Sequence, residues 1–160
     1  MDCRFATVGE IPALVEMRWE FRTESGEVPS ESAETFRERC AAFMQDGFAS
    51  GTWSHFVAED AGALAACMSV HVVRSLPRPS RETDQWGYLT NCYTRPSYRS
   101  AGVGSALLAF VRSWAESRDL ELLLVWPSEV SARFYERAGF QEPQGLAVLT
   151  LRDYDAPPSA

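Results

Sequence analysis

The chain reads as a mixed α/β domain in which one sheet carries helices on both faces. Three observations lead there. Segments of strand and helix character follow one another as β-α-α-β-β-β-α-β-α-β, which is neither a stack of hairpins nor a regular βα alternation. The stretch 86–126 is strand, helix, strand, a unit that closes as a right-handed parallel crossover. The apolar run Leu120–Trp126 predicts a central strand covered on both sides.

Each element has its own local signal. Residues 3–8 predict a short first strand. Thr7 and Glu10 have capping-box spacing and Pro12 suits a first helical turn, so a helix follows with Ile11, Leu14, Val15 and Trp19 on one face. The break Ser25-Gly26-Glu27-Val28-Pro29 precedes a second helix from about Glu31. Phe36, Cys40, Phe43 and Met44 form its stripe, and Gly47 and Gly51 end it. His55–Glu59 and Ala63–Val73 are strands joined by a tight turn at Asp60-Ala61-Gly62. A polar, proline-containing loop spans 75–85, and loops of that length inside small domains are often functional.

The strand Trp86–Thr94 stops at Pro96. The helix Val103–Ser117 sets Val103, Leu107, Phe110, Val111 and Trp114 on one side. A last helix is expected over Glu129–Ala138, ended by Gly139, and a final strand over 145–152. Residues 1–154 read as a single domain and 155–160 as a disordered tail.

Composition narrows the function. With 46% hydrophobic and 23% charged residues the chain has the make-up of a soluble globular protein. No apolar run reaches a membrane span and Met1-Asp2-Cys3-Arg4 lacks signal-peptide character, so a cytoplasmic location and no membrane partner are expected. A net charge of −7 argues against nucleic-acid binding, which needs a basic face. All 15 basic residues are arginine. Cys3, Cys40, Cys67 and Cys92 are widely spaced, with no C-x-x-C pair and no nearby His, so no metal site is expected; Cys67 and Cys92 read as buried free thiols.

Two motifs carry chemistry. Arg99-Ser100-Ala101-Gly102-Val103-Gly104 joins a strand to a helix, where glycines let backbone N–H groups converge and the helix adds its positive end. Alone, this pattern fits a tight turn as well as a phosphate cradle. It lacks the third glycine of a dinucleotide fingerprint and the Lys of a P-loop. The second motif, Phe134-Tyr135-Glu136-Arg137-Ala138-Gly139-Phe140, read alone is a short amphipathic helix.

Together they resemble the GNAT superfamily of acetyl-CoA-dependent N-acetyltransferases. That family carries a [QR]-x-x-G-x-[GA] loop after its fourth strand and a later helix ending in F-Y-x-x-x-G-F; here 31 residues separate Gly104 from Tyr135. The resemblance is carried by residues 86–140, including the strand exit Tyr93-Thr94-Arg95-Pro96-Ser97-Tyr98-Arg99. It implies a mostly antiparallel sheet of about six to seven strands with a central, splayed parallel pair. It also implies that the backbone of Arg99, Ser100, Ala101, Gly102, Val103, Gly104 and Ser105 holds the CoA pyrophosphate, with Arg95 and Arg99 adding charge. Backbone groups near Tyr93 and Thr94 would pair with the pantetheine arm, a backbone N–H of the same strand would polarise the acetyl carbonyl, and Tyr135 would be the general acid. Ser128 stands where the family often has Asn, and would either touch the cofactor or cap the helix.

One departure matters for mechanism. The fourth strand, which carries a Glu base in several members, has Thr90-Asn91 here. Deprotonating an alkylammonium at pH 7 costs roughly 4–5 kcal/mol. Candidate bases are Glu20, Glu24, His71 and Asp84. The acceptor amine is expected near residues 20–32, 75–85 and 145–152. There Glu20, Glu24, Glu27 and Glu31 read either as an acidic mouth favouring a cationic amine or as solvated helix ends, and Trp19, Trp86 and Trp126 either as an apolar wall or as core. The implied activity is acetyl transfer from acetyl-CoA to a primary amine of a small molecule or peptide by direct attack in a ternary complex, by a monomer or homodimer. The alternative is a catalytically silent acyl-CoA-binding sensor or regulatory module.

Overall fold

The structure is a computed structural model that describes residues 1–149 apart from Ser25, Arg81, Thr83, Pro143 and Gln144. Five strands form one sheet in chain order: β1 (Asp2–Phe5), β2 (Trp53–Asp60), β3 (Ala63–Arg74), β4 (Gln85–Thr94) and β5 (Leu123–Leu124). Neighbours pair antiparallel from β1 to β4, and β4 and β5 pair parallel, as the crossover requires.

Two helices cover one face: α1 (Ile11–Glu24) and α2 (Ala33–Ser50). Their Ile11, Leu14, Val15, Met17 and Met44 pack with Val57, Cys67 and Tyr93 of the sheet. On the other face α3 (Val103–Ser117) and α4 (Ala132–Arg137) pack Val103, Leu107, Val111 and Tyr135 onto Phe56, Ala58, Met68, Val70 and Leu89. Strand alternation therefore sorts the apolar residues into two cores with the sheet between them. Phe56 is fully buried and stacks edge-on to Trp114 at 4.9 Å; burial of such a ring contributes about 2–3 kcal/mol.

The expected helix starts hold in chemical detail. Glu10 accepts from the Thr7 N–H at 2.7 Å before α1, and the Ser32 side chain accepts from the Thr35 N–H at 3.1 Å to start α2. Gly51, with φ +66°, ends α2, whereas Gly47 lies inside it, against the Trp53 ring.

The fifth strand differs from expectation. Leu120–Trp126 forms a two-residue strand at the sheet edge, with Leu122 and Trp126 about half exposed. Glu121 interrupts the run and turns out to ion-pair with Arg78, which no strand buried on both faces would allow. The described part of the expected final strand, 145–149, is unpaired, and Leu146, Val148 and Leu149 are exposed; nothing there covers the open side of β5. Residues 150–152 and the tail expected at 155–160 lie outside the described residues. The α4 helix begins at Ala132 rather than Glu129, because Ser128 and Ser131 tie up a separate turn ahead of it.

β4 carries the irregularity on which the site depends. Ser69 faces Thr90 and Cys67 faces Tyr93, so two steps along β3 match three along β4. The extra residue makes a β-bulge, and Asn91 sits in it with φ +53°. Pairing with β5 involves only Gly87 and Tyr88, so β4 parts from β5 at Leu89.

Candidate active site

The gap left by this parting is a cleft of about 460 Å³ that reaches both faces of the sheet. From the α1 side it is lined by Arg18, Phe21 and Arg22. β4 contributes Tyr88 to Cys92 and Thr94, and β5 and its exit contribute Val125 and Trp126. From the α3 and α4 side come Gly104, Ser128, Ser131, Phe134 and Tyr135. The splay expected from the family resemblance is therefore where the structure concentrates the site.

At the α3 end the loop Arg99–Gly104 has the shape of an anion cradle. Ser100 and Gly102 have φ +62° and +79° with Ala101 between them, an alternation that turns successive N–H groups inward. The first helical hydrogen bond across this junction runs from Ala106 N–H to Gly102 O at 2.9 Å, so the N–H groups of Val103, Gly104 and Ser105 have no intrahelical acceptor. Gly104 must stay bare: a Cβ there would stand 3.2 Å from Thr94 Oγ1 and 3.7 Å from the Phe134 ring.

The arginine side chains expected to help this loop point elsewhere. Arg99 pairs with Glu24 at 2.5 Å and donates to Thr94 O at 2.9 Å; Arg95 pairs with Glu20 at 3.1 Å. Any phosphate grip here belongs to the backbone.

Tyr135 is buried on the α4 wall, with its ring 5.0 Å from Phe134 and 5.4 Å from Phe140. Its hydroxyl neighbours the Cys92 thiol, which also lines the cleft. Burial pushes the phenol well above its usual range, and pushes the Cys92 thiol up to about 12, so both keep their protons at neutral pH. Cys92 is half-buried rather than buried, because its thiol faces the cleft.

Tyr93 and Thr94 divide between the faces. Thr94 lines the cleft. The Tyr93 ring lies in the opposite core, and its hydroxyl donates to Glu24 at 3.1 Å. Ser128 also lines the cleft, and its Oγ lies 2.8 Å from Ser131 Oγ.

None of the candidate bases reaches the cleft. Glu20 and Glu24 are held by Arg95 and Arg99, His71 stacks on Trp53 at 4.8 Å, and Asp84 is fastened to Arg78 at 2.6 Å. The acidic mouth is neutralised as well, since Glu27 pairs with Arg22 and Glu31 with Arg39. The 75–85 loop closes on itself through Ser75 N–H to Asp84 O, 2.8 Å, and stays out of the cleft. Of the three tryptophans, only Trp126 lines the cleft, edge-on to Tyr88 at 5.0 Å; Trp19 packs on Phe36. Among the described residues no group of three or more His, Cys, Asp or Glu is arranged to hold a metal ion, and no helix is long and apolar enough to cross a membrane.

Two residues central to this geometry are not evident as site residues in the sequence. Asn91 carries the bulge, and its only signal is an Asn within an otherwise β-prone strand. Arg18 lies on the apolar side of an amphipathic helix, where its periodicity is that of a core position.

The architecture is that of known acetyltransferases. A predicted acetyltransferase from Clostridium acetobutylicum, solved with acetyl-CoA, superposes with a TM-score of 0.80 at 22% identity, over 94% of this chain and 96% of that one. A GCN5-related N-acetyltransferase from Ralstonia eutropha gives 0.74 at 23% identity, over 93% and 97%. Glucosamine-6-phosphate N-acetyltransferase from Arabidopsis thaliana gives 0.67 at 16% identity, over 94% and 98%. No curated protein matches the sequence. The sequence profile of the Acetyltransferase (GNAT) family matches residues 11–140, and the chain belongs to that family. It is an acyltransferase, and acetyl transfer is its general chemistry.

Proposed function

We propose that the protein transfers an acetyl group from acetyl-CoA to a primary amine of a small molecule or peptide, by direct attack within a ternary complex. The observation that carries this reading is the single cleft that joins the Arg99–Gly104 cradle, the bulged β4 edge and the Tyr135 hydroxyl.

The residues present fit the donor. The inward N–H groups of the cradle and of the first turn of α3 suit a pyrophosphate. Beyond Leu89 the β4 edge has no β5 partner, and it suits the amide-bearing pantetheine as an added strand. Acetyl-CoA supplies an activated acyl carbon bonded to a good leaving group. The positive φ of Asn91 reorients the backbone at the bulge, which supports a role for a neighbouring N–H in polarising the acyl oxygen. Tyr135, held protonated, presents a proton to the departing sulfur.

Among the described residues neither a carboxylate nor an imidazole lines the cleft. With these residues alone, the amine would arrive neutral or lose its proton to water. This same feature favours the second reading, a silent acyl-CoA-binding module. Acetyl-CoA-dependent thiol release over a panel of polyamines, aminoglycosides, amino acids and peptides separates the two. Turnover with any amine supports transfer, whereas tight acetyl-CoA binding without turnover supports the module.

A further inference from the structure

Arg18 stands apart among the arginines of α1 and its surroundings. Arg22, Arg95 and Arg99 each hold a glutamate. Arg18 lines the cleft with no carboxylate partner among the described residues. Its one hydrogen-bond acceptor there is Asn91 Oδ1, a long contact at 3.4 Å, and its guanidinium sits 5.7 Å over the Phe21 ring. A guanidinium has five N–H donors, so nearly all of this one's donors are unspent at the edge of the cleft.

The surroundings make that costly. Burial draws the Arg18 guanidinium below the usual arginine range; the ionisable groups acting on it are Arg22, Glu27, which is itself paired with Arg22, and the thiols of Cys40 and Cys67. A half-buried cation with no carboxylate in contact, and only the distant, already paired Glu27 to offset it, is destabilising unless something anionic completes it. Its contact with Asn91 places the vacancy beside the bulge, on the α1 face. The donor cradle and Tyr135 lie on the α3 and α4 face.

We infer that Arg18 is the acceptor-binding residue of this cleft, and that the acceptor is an amine carrying a nearby carboxylate or phosphate which the guanidinium holds. The inference rests on the acetyl-transfer reading above, and it replaces a purely cationic acceptor by a zwitterionic one. It also bears on the missing base. A free amino acid's carboxylate stabilises its own ammonium. Once the guanidinium neutralises that carboxylate, the stabilisation is lost and a second cation stands near the amine, so the neutral, nucleophilic form becomes easier to reach.

The test pairs each anionic amine with a neutral counterpart in the thiol-release assay. Glycine, β-alanine and 4-aminobutyrate are compared with their carboxamides, and 2-aminoethyl phosphate with 2-aminoethanol. The first three pairs report a carboxylate site and the fourth a phosphate site. The wild-type protein is expected to favour the anionic member of at least one pair by about 10–100-fold in kcat/KM. Arg18→Gln should shrink that ratio to about threefold or less, through a higher acceptor KM, and should move the rise of kcat with pH, which reports the bound amine, upward by about one unit or more. Arg18→Lys should restore part of the ratio.

Equal or better turnover of the neutral members by the wild-type protein would overturn the inference while leaving acetyl transfer intact. If no amine is turned over, calorimetric titration of the CoA-bound protein with the same compounds decides. Anion binding that Arg18→Gln abolishes would keep the anion site and end the transfer reading. Absence of such binding would end both.

Discussion

The Tyr135 hydroxyl and the Cys92 thiol are neighbours in the cleft, one from α4 and one from β4, at the point where the sheet opens. Both groups keep their protons at neutral pH, and the phenol is the one proposed above as the proton donor to the departing thiolate. Tyr135→Phe should lower kcat by about 10²-fold or more while acetyl-CoA affinity stays within a few-fold. Steady-state rates with equilibrium binding of acetyl-CoA check this, and an unchanged kcat at every pH would remove Tyr135 as the acid.

Burial makes Cys92 a poor nucleophile, and the neighbouring Tyr135 hydroxyl only partly offsets it. With its thiol pushed up to about 12, its thiolate fraction at pH 8 lies about three orders of magnitude below that of an ordinary cysteine. Native protein treated with iodoacetamide should be carboxamidomethylated at Cys92 far more slowly than urea-unfolded protein. Peptide mass mapping over time measures both rates.

Gly102 and Gly104 should fail for different reasons. Gly102 has open space but φ +79°, so Gly102→Ala strains the backbone by about 1–2 kcal/mol and places a methyl at the cradle. Gly104→Val drives a branched side chain into Thr94 and the Phe134 ring. Both variants should bind acetyl-CoA at least tenfold more weakly, with the larger drop in melting temperature expected for Gly104→Val. Retained affinity in Gly104→Val would contradict the placement of the pyrophosphate.

The bulge makes its own demand. Asn91 holds φ +53°, a region a β-branched residue enters only with strain. Asn91→Gly should preserve the bulge and stability to within about 1 kcal/mol, whereas Asn91→Val should lose about 1–2 kcal/mol and most of kcat. Urea unfolding alongside turnover distinguishes them.

His55 sets an acid limit on stability. It is buried, with Nδ1 2.8 Å from Ser69 Oγ and Nε2 unpartnered among the described residues, and burial holds its pKa near 4. The unfolded chain takes up this proton near pH 6.5, while the native state resists it until about pH 4. Stability is therefore complete above pH 7, falls as pH drops from 6.5 towards 4, and levels off below. The loss is on the order of 3 kcal/mol, and urea midpoints of wild type and His55→Gln at pH 7 and 4.5 should diverge accordingly.

The parts of this molecule legible in the sequence are those encoded locally. The Gly102–Gly104 loop, the aromatic helix around Tyr135 and the crossover between them are set by residues a turn or two apart, and their positions followed from spacing. The bulge at Asn91 was not legible, because one extra residue leaves the apolar alternation on either side of it undisturbed. The pairing of the α1 glutamates was not legible either, and they read equally as an acidic mouth or as solvated helix ends. Their neutralising partners Arg95 and Arg99 lie 75 residues along the chain, and only tertiary packing brings them together. Arg18 was missed for the opposite reason, since helical periodicity files it with the core.

The parting of β4 from β5 gives the sheet the character of a partition with a single doorway. Donor-side contacts, from the cradle to Tyr135, stand on one side of it, and Arg18 stands on the other. If donor and acceptor bind as proposed, they enter from opposite faces and need not displace one another or share a route. On the proposed assignment, random-order kinetics are expected, and the two specificities could drift apart through substitutions on separate helices while the doorway between them stays unchanged.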